Sequence, residues 1–118
     1  MVATKASLGW IGKTGPLVTE KFGPRIRLAS ILVSSSISET VRPINESSCG
    51  KCDIFIVNCP AQAATGKLWD ITIDRDEFYS PFRYRQYCIK TSRKGIGIEE
   101  SLCGICMSLC PKGEINDG

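Results

Sequence analysis

The alternation of polar and apolar residues in the first third of the chain predicts one β-strand. Between residues 25 and 34, arginines alternate with Ile26 and Leu28, and the run then becomes apolar through Val33. Period-two alternation that gives way to a continuous apolar run predicts a strand that begins half-exposed and ends buried. The polar segment that follows, up to residue 45, predicts a linker and a domain boundary.

Helical spacing of apolar residues dominates the last third of the chain. It predicts one helix over residues 82–94, ended by glycines, and a second over 99–110, ended by Pro111. The inner stripe of the second helix is apolar and consists of Ile98, Leu102, Ile105, Cys106 and Leu109. Residues 68–74 alternate apolar and polar side chains and predict a short strand or extended segment, whereas residues 1–17 predict a glycine-rich loop.

The composition limits the function mainly by what it lacks. The chain has 118 residues, about one domain, and a formal net charge of only +3. It contains seven cysteines and no histidine, which excludes Cys/His zinc fingers, Rieske centres and catalysis by a Ser-His-Asp or Cys-His arrangement. So many thiols without a secretory signal predict metal binding in the cytoplasm rather than a disulfide framework. No apolar run is long enough to predict a membrane span.

Six of the seven cysteines form two groups that each end in Cys-Pro. The groups are Cys49-Gly-Lys-Cys52 with Cys59-Pro60, and Cys103-Gly-Ile-Cys106 with Cys110-Pro111. Bacterial ferredoxins bind 4Fe–4S clusters through C-x2-C-x2-C-x3-C-P runs, in which the cysteine before the proline ligates the other of two clusters. The glycine after the first cysteine of each pair frees backbone amides that can donate hydrogen bonds to sulfur. The pattern therefore predicts a two-cluster iron–sulfur module.

The crossover rule divides the seven thiols into two sets of ligands. Site A is the complete set and consists of Cys59, Cys88, Cys103 and Cys106. Site B has three cysteines and consists of Cys49, Cys52 and Cys110. Its missing cysteine should stand at position 55, which is Phe55. Site B could therefore hold a 3Fe–4S cluster, a 4Fe–4S cluster with a non-cysteine ligand such as Asp53 or water, or nothing.

Three other interpretations of the cysteines stay open. A structural zinc ion would take the two C-x2-C pairs, which are Cys49, Cys52, Cys103 and Cys106, and would leave the Cys-Pro endings and Cys88 unused. Buried or disulfide-bonded cysteines would need no metal at all. An open iron at site B would favour a protein that senses a small ligand or oxygen.

The predicted helix over 82–94 is basic. Its five cations stand in a stretch without any acid and are Arg83, Arg85, Lys90, Arg93 and Lys94. With tyrosines interleaved among them, these cations could contact the phosphates of tRNA. The alternative is that they balance the charge of a cluster or form a solvated helix face.

The motifs, in the order in which they occur along the chain, resemble those of the epoxyqueuosine reductases. These are cobalamin-dependent iron–sulfur enzymes of tRNA modification. The resemblance covers nearly the whole chain and rests on Leu8-Gly-Trp-Ile-Gly-Lys13, Phe22-Gly-Pro-Arg25, the run ending at Ile31-Leu32, the two cysteine motifs and the lone Cys88. It implies two clusters that pass electrons to a corrinoid, a plan shared by the more distant reductive dehalogenases. The family carries a cobalamin-binding region before the Gly-Trp-Ile-Gly-Lys stretch, where this chain begins, and a cysteine in place of Phe55. We therefore expect cobalamin only through a partner, and no independent catalysis.

The sequence thus predicts a small α+β protein, with a ferredoxin-like double-cluster iron–sulfur module preceded by the remnant of a larger α/β domain. Residues 1–45 are the predicted remnant, and residues 46–118 the cluster-binding module. We expect an electron-transfer protein that feeds a corrinoid protein or another redox partner. The alternative is a fragment or subunit of a tRNA-modifying or other corrinoid-dependent reductase. A strand near Ile31 without sheet neighbours also predicts a partner chain or self-association.

Overall fold

The structure, a computed structural model, describes residues 2–113 and contains one 16-residue helix, four short helices and one two-stranded hairpin. In chain order, the elements are α1 (Val2–Lys5), β1 (Trp10–Ile11), β2 (Leu17–Val18), α2 (Ile54–Val57), α3 (Arg75–Phe78), α4 (Pro81–Ile96) and α5 (Ile105–Leu109). Among the described residues, no helix is both long and apolar enough to cross a membrane.

Helix α1 and the hairpin together replace most of the loop that we predicted for residues 1–17. Strands β1 and β2 pair antiparallel, with Trp10 opposite Val18. The turn closes through a hydrogen bond from the Gly12 N–H to the Pro16 carbonyl, at 2.9 Å. The prediction was wrong here because the two apolar arms are only two residues long, too short for a visible alternation, while the glycines and proline between them dominate the pattern.

The hydrophobic core joins this hairpin to the segments that follow the first cysteine motif. Its buried members come from most of the chain and are Trp10, Ile11, Val18, Phe55, Trp69, Phe78 and Cys110. Side chains of the predicted remnant therefore pack in the same core as side chains of the predicted cluster-binding module. The division into residues 1–45 and 46–118 stays a prediction, and so does the ferredoxin-like double-cluster fold.

The strand predicted for residues 25–34 does not form. The segment has no helix or strand, and the apolar residues expected to be buried are exposed: Ile31 is 86% and Leu32 is 99% accessible to solvent. A strand needs a neighbouring strand to satisfy its backbone groups. In the described part of the chain, β1 and β2 pair only with each other, so this segment finds no sheet to join.

Helix α4 confirms the helix predicted for residues 82–94. It begins at Pro81, which suits the first helical position, after Ser80, whose hydroxyl accepts a hydrogen bond from the Arg83 N–H. It ends before Gly97, which adopts the left-handed conformation with φ 73°. These sequence features fix both ends of α4, which is why the prediction succeeded.

The second predicted helix, over residues 99–110, was too long. Only α5 is helical, and the expected inner stripe is largely solvent-exposed, with Leu102 74% accessible. The backbone of Glu100 instead bonds to α4: its N–H donates to the Ser92 hydroxyl (3.0 Å), which in turn donates to the Glu100 carbonyl (3.1 Å). This exchange ties the segment to α4 and uses the backbone groups that a longer helix would need.

Residues 68–74 form a turn rather than the predicted strand. The Asp70 carboxylate accepts hydrogen bonds from the N–H (2.7 Å) and the hydroxyl (2.6 Å) of Thr72. Such local side-chain bonds compete with sheet pairing. One isolated bridge, between Glu46 and Asp70, is the extended pairing that remains in this segment.

Candidate iron–sulfur centre

Three of the four cysteines of site A line one cavity of about 340 Å³. Cys59 follows helix α2, Cys103 precedes helix α5, and Cys106 lies in its first turn. The short α2 and α5 pack against each other, so the two cysteine motifs meet although more than forty residues separate them. The cavity therefore gathers thiols from both motifs at one point.

Cys88 is the fourth thiol of site A and reaches the same place from helix α4. It is buried, with 1% of its surface accessible. Burial raises the pKa of the Cys88 thiol; a hydrogen bond with Tyr84 lowers it, and the neighbouring Cys103 and Cys59 raise it further. Cys88 therefore lies within electrostatic range of two of the other three thiols, although it does not line the cavity. As ligands, the four cysteines stay a prediction.

The thiol of Cys106 faces a buried hydroxyl that has no hydrogen-bond partner of good geometry. Burial raises the pKa of Cys106, the Thr14 hydroxyl lowers it, and Cys59 and Cys103 raise it. Thr14 lines the cavity and is only 8% exposed, yet its oxygen is unsatisfied. A buried polar atom without a partner is costly. A polar or anionic group held by the thiols would satisfy it, so the site fits an iron–sulfur cluster.

Backbone and tyrosine groups complete site A. The Ala63 N–H donates a hydrogen bond to the Cys59 sulfur at 3.4 Å, which would stabilise a thiolate there. The rings of Tyr79 and Tyr84 stand 6.1 Å apart along the cavity wall. Burial and the hydrogen bond with Cys88 raise the pKa of Tyr84 to about 12, and burial raises the pKa of Tyr79 as well. Both rings therefore stay neutral and shield the thiols from water.

The sequence analysis did not assign Thr14, Tyr79 or Tyr84 to site A, although the sequence held one clue to Tyr84. Tyr84 precedes Cys88 by four residues on a predicted helix, and residues with that spacing share a helix face. Thr14 and Tyr79 carry no such signal, because each is far from the cysteine motifs in sequence.

Site B also forms, around a smaller cavity of about 90 Å³. It is lined by all three of its cysteines, which are Cys49, Cys52 and Cys110. The Trp10 indole N–H donates to the Cys49 sulfur at 3.4 Å. Burial raises the pKa of Cys110; Cys49 and Cys52 also raise it, whereas the Lys112 backbone and the Arg25 guanidinium lower it. The ring of Phe55 lies in the same wall.

The two cavities separate the cysteines of the zinc alternative. Cys49 and Cys52 line site B, whereas Cys103 and Cys106 line site A. A tetrahedral zinc ion needs all four sulfurs about 2.3 Å from one point. Within residues 2–113, no three His, Cys, Asp or Glu side chains close around a single ion. An eight-atom 4Fe–4S core spreads its four ligands more widely than one ion does, so this geometry argues against the zinc site and leaves cluster sites open.

Comparison with known proteins agrees with the motifs. The chain is 31% identical over 117 residues to an epoxyqueuosine reductase of Staphylococcus aureus and 29% identical over 110 residues to one of Vibrio cholerae. The alignments cover 94% and 93% of this chain. In sequence, the chain is a relative of the epoxyqueuosine reductases. The resemblance drawn from the motifs is thereby confirmed.

The chain is much shorter than these epoxyqueuosine reductases. It spans 28% and 29% of the length of the two relatives above, and 37% of one from Synechocystis, to which it is 27% identical. No protein-family model matches the chain, and no solved structure matches it significantly.

The basic residues predicted from the sequence divide between two faces of α4. Four of them line an open groove with Phe82 and Ile89, and these are Arg85, Lys90, Arg93 and Lys94. Arg83 lies elsewhere and donates to the Gln62 carbonyl at 3.4 Å. Arg93 forms an ion pair with Glu99, so its charge is partly neutralised.

Proposed function

We propose that site A holds an iron–sulfur cluster and that the protein transfers electrons to a redox partner. The observation that carries this proposal is the cavity lined by Cys59, Cys103 and Cys106, with the buried Cys88 of helix α4 in electrostatic contact with two of these thiols. A cluster bound there would supply one-electron redox chemistry. With no histidine in the chain, electron transfer suits these residues better than proton chemistry does.

The residues of site A each have a role in this proposal. The thiols bind iron and release their protons on doing so, and burial, which raises the pKa values of Cys88 and Cys106, makes that release dependent on pH. The Ala63 N–H and the Thr14 hydroxyl offset the negative charge of the site. Tyr79 and Tyr84 keep water away from the sulfurs.

We propose a corrinoid protein as the redox partner. Support comes from the similarity to the epoxyqueuosine reductases, because that resemblance implies a corrinoid acceptor.

Anaerobic purification followed by iron and acid-labile sulfide analysis tests the cluster at site A. We expect iron, sulfide, broad visible absorbance and an EPR signal on reduction in the wild type. Cys103→Ser should lose these features, because it removes a site A ligand. Ser108→Ala, an exposed change on the neighbouring helix α5, is the control. Zinc without iron in the wild type would contradict the proposal. Reoxidation of the reduced protein by free cobalamin, followed spectrally, tests the electron-transfer step.

A second candidate function is favoured by the basic groove of α4. Its cations and Phe82 form one helix face, as expected for a surface that contacts RNA phosphates. We propose tRNA as the ligand. Charge reversal at Lys90 and Lys94 should weaken tRNA binding and flatten its salt dependence by about one unit of slope per phosphate contact. Charge reversal at Arg83, which lies outside the groove, should have little effect. Binding that does not change with salt would rule this function out.

A further inference from the structure

We infer that Phe55 occupies the place of the fourth ligand at site B, so that Cys49, Cys52 and Cys110 hold no cluster and the chain carries a single one, at site A. This inference rests on the proposed function of site A.

The position of Phe55 in the core is the first argument. Phe55 lies in helix α2, is 6% exposed, and belongs to the same buried cluster as Trp10, Val18 and Cys110. Its ring lines the site B cavity beside the three sulfurs. An aromatic ring has no lone pair to offer to iron, and a ring held in the core cannot leave the cavity without exposing apolar surface.

The β1–β2 hairpin packs against the ring of Phe55. A methyl group built on Gly12 would lie 3.5 Å from the Phe55 ring, and 3.0 Å from the Val18 side chain. The backbone of the hairpin turn therefore already stands close to the ring. Packing of this density gives Phe55 no space into which it could retreat to admit a cluster.

The alternative fourth ligand, Asp53, is already engaged. Its carboxylate accepts a hydrogen bond from the Lys13 ammonium at 3.1 Å, and the same ammonium donates to the Cys52 carbonyl at 2.9 Å. The Lys13 side chain is 5% exposed, whereas that of Asp53 is 65% exposed. Turning Asp53 toward the cysteines would leave a buried lysine without its counter-ion, which is strongly unfavourable.

The sizes of the two cavities point the same way. Site A encloses about 340 Å³ and site B about 90 Å³, so site A is nearly four times larger. Both sites would have to admit the same eight-atom core to hold a 4Fe–4S cluster. Of the two sites, only site A has four predicted cysteine ligands together with the larger cavity that such a core requires.

The test is the content of iron and acid-labile sulfide per chain after anaerobic loading with ferrous iron and sulfide. We expect about four of each in the wild type and about eight in Phe55→Cys, because the new thiol restores the motif and removes the ring. Phe55→Leu is the matched control, since it reduces the side chain without adding a ligand, and should stay at about four.

Cys52→Ser keeps the test decisive if Phe55→Cys does not fold, because Cys52 is exposed. We expect this variant to retain the iron of the wild type. About seven or eight irons in the wild type, with loss in Cys52→Ser, would overturn the inference and leave site A untouched. An EPR signal of an oxidised 3Fe–4S cluster in the wild type would also overturn it. A Phe55→Cys variant that folds and stays at the wild-type iron content would show that Phe55 does not determine whether site B binds a cluster. A wild type without iron would contradict the proposed function as well.

Discussion

At the scale of single residues, burial controls the chemistry of the cysteines. The thiols of Cys88, Cys106 and Cys110 all have pKa values raised above the ordinary 9.0, with desolvation as the largest cause in each case. A buried thiolate is unfavourable without a positive partner. These thiols are therefore neutral in the metal-free protein, and binding of iron must displace their protons.

This shift predicts a loss of stability at alkaline pH in the metal-free protein. A group whose pKa is raised by folding stabilises the fold below its unfolded pKa, and this contribution disappears as the pH rises through the folded pKa. The free energy of unfolding should therefore begin to fall at about pH 8, where unfolded thiols start to ionise, and should keep falling above about pH 10, where unfolded tyrosines ionise. Tyr84, with its pKa raised to about 12, adds to the loss in the same direction.

Urea unfolding of the metal-free protein across this range measures the effect. Cys88→Ala should show a shallower decline than the wild type because one buried thiol no longer titrates. A free energy of unfolding that rises with pH would contradict the assignment of these thiols as buried and neutral.

At the scale of elements, α4 is the part of the fold that the sequence specifies most fully. Its cap, its proline and its terminal glycine define a helix that carries Tyr84 and Cys88 to site A. Helices α2 and α5 have only four and five residues. Helices this short are not stable by themselves and depend on tertiary packing, so no local pattern could fix their ends.

Two glycines near the end of α4 give a matched test of this interpretation. Gly97 has φ 73° and Gly95 is helical, and a methyl group on either would meet no atom within 4 Å. Gly97→Ala should lower the free energy of unfolding by about 1 kcal/mol, because a left-handed conformation disfavours a Cβ atom. Gly95→Ala should raise it by about 0.5–1 kcal/mol, because alanine loses less backbone entropy in a helix.

Thermal or urea unfolding of both variants checks this pair. Equal effects of the two substitutions would show that α4 does not end at Gly97. Iron content should stay unchanged in both variants because neither glycine lines the cavity of site A or that of site B.

At the scale of the whole molecule, contacts between the two ends of the described chain enclose site B. The Arg25 guanidinium donates to the carbonyls of Lys112 (3.0 Å), Cys110 (3.0 Å) and Ser108 (3.2 Å), which lie in the last turn of α5 or after it. Cations are favourable at helix C-termini, where carbonyl groups lack partners. Lys112 also pairs with Glu20, at 2.6 Å. Residues 27–43 are exposed, and the predicted self-association or partner binding there stays a prediction.

Arg25→Met should therefore destabilise the whole molecule. We expect the free energy of unfolding to fall by about 1–3 kcal/mol, because charged hydrogen bonds to three carbonyls are lost. Arg27→Met is the matched control: Arg27 is exposed, and its substitution should change stability by less than about 0.5 kcal/mol. If urea unfolding shows equal effects for the two variants, the Arg25 contacts do not stabilise the fold.

The sequence by itself determined the grouping of the cysteines, the helix that carries Cys88, and the relationship to epoxyqueuosine reductases. These depend on residue type and spacing along the chain, which are local properties. The tertiary structure alone decided that Phe55 and Lys13 are buried at site B, that Thr14 faces Cys106, and that the apolar residues near Ile31 find no sheet. Burial and pairing depend on which distant segments meet, and the sequence pattern of one segment does not contain that information.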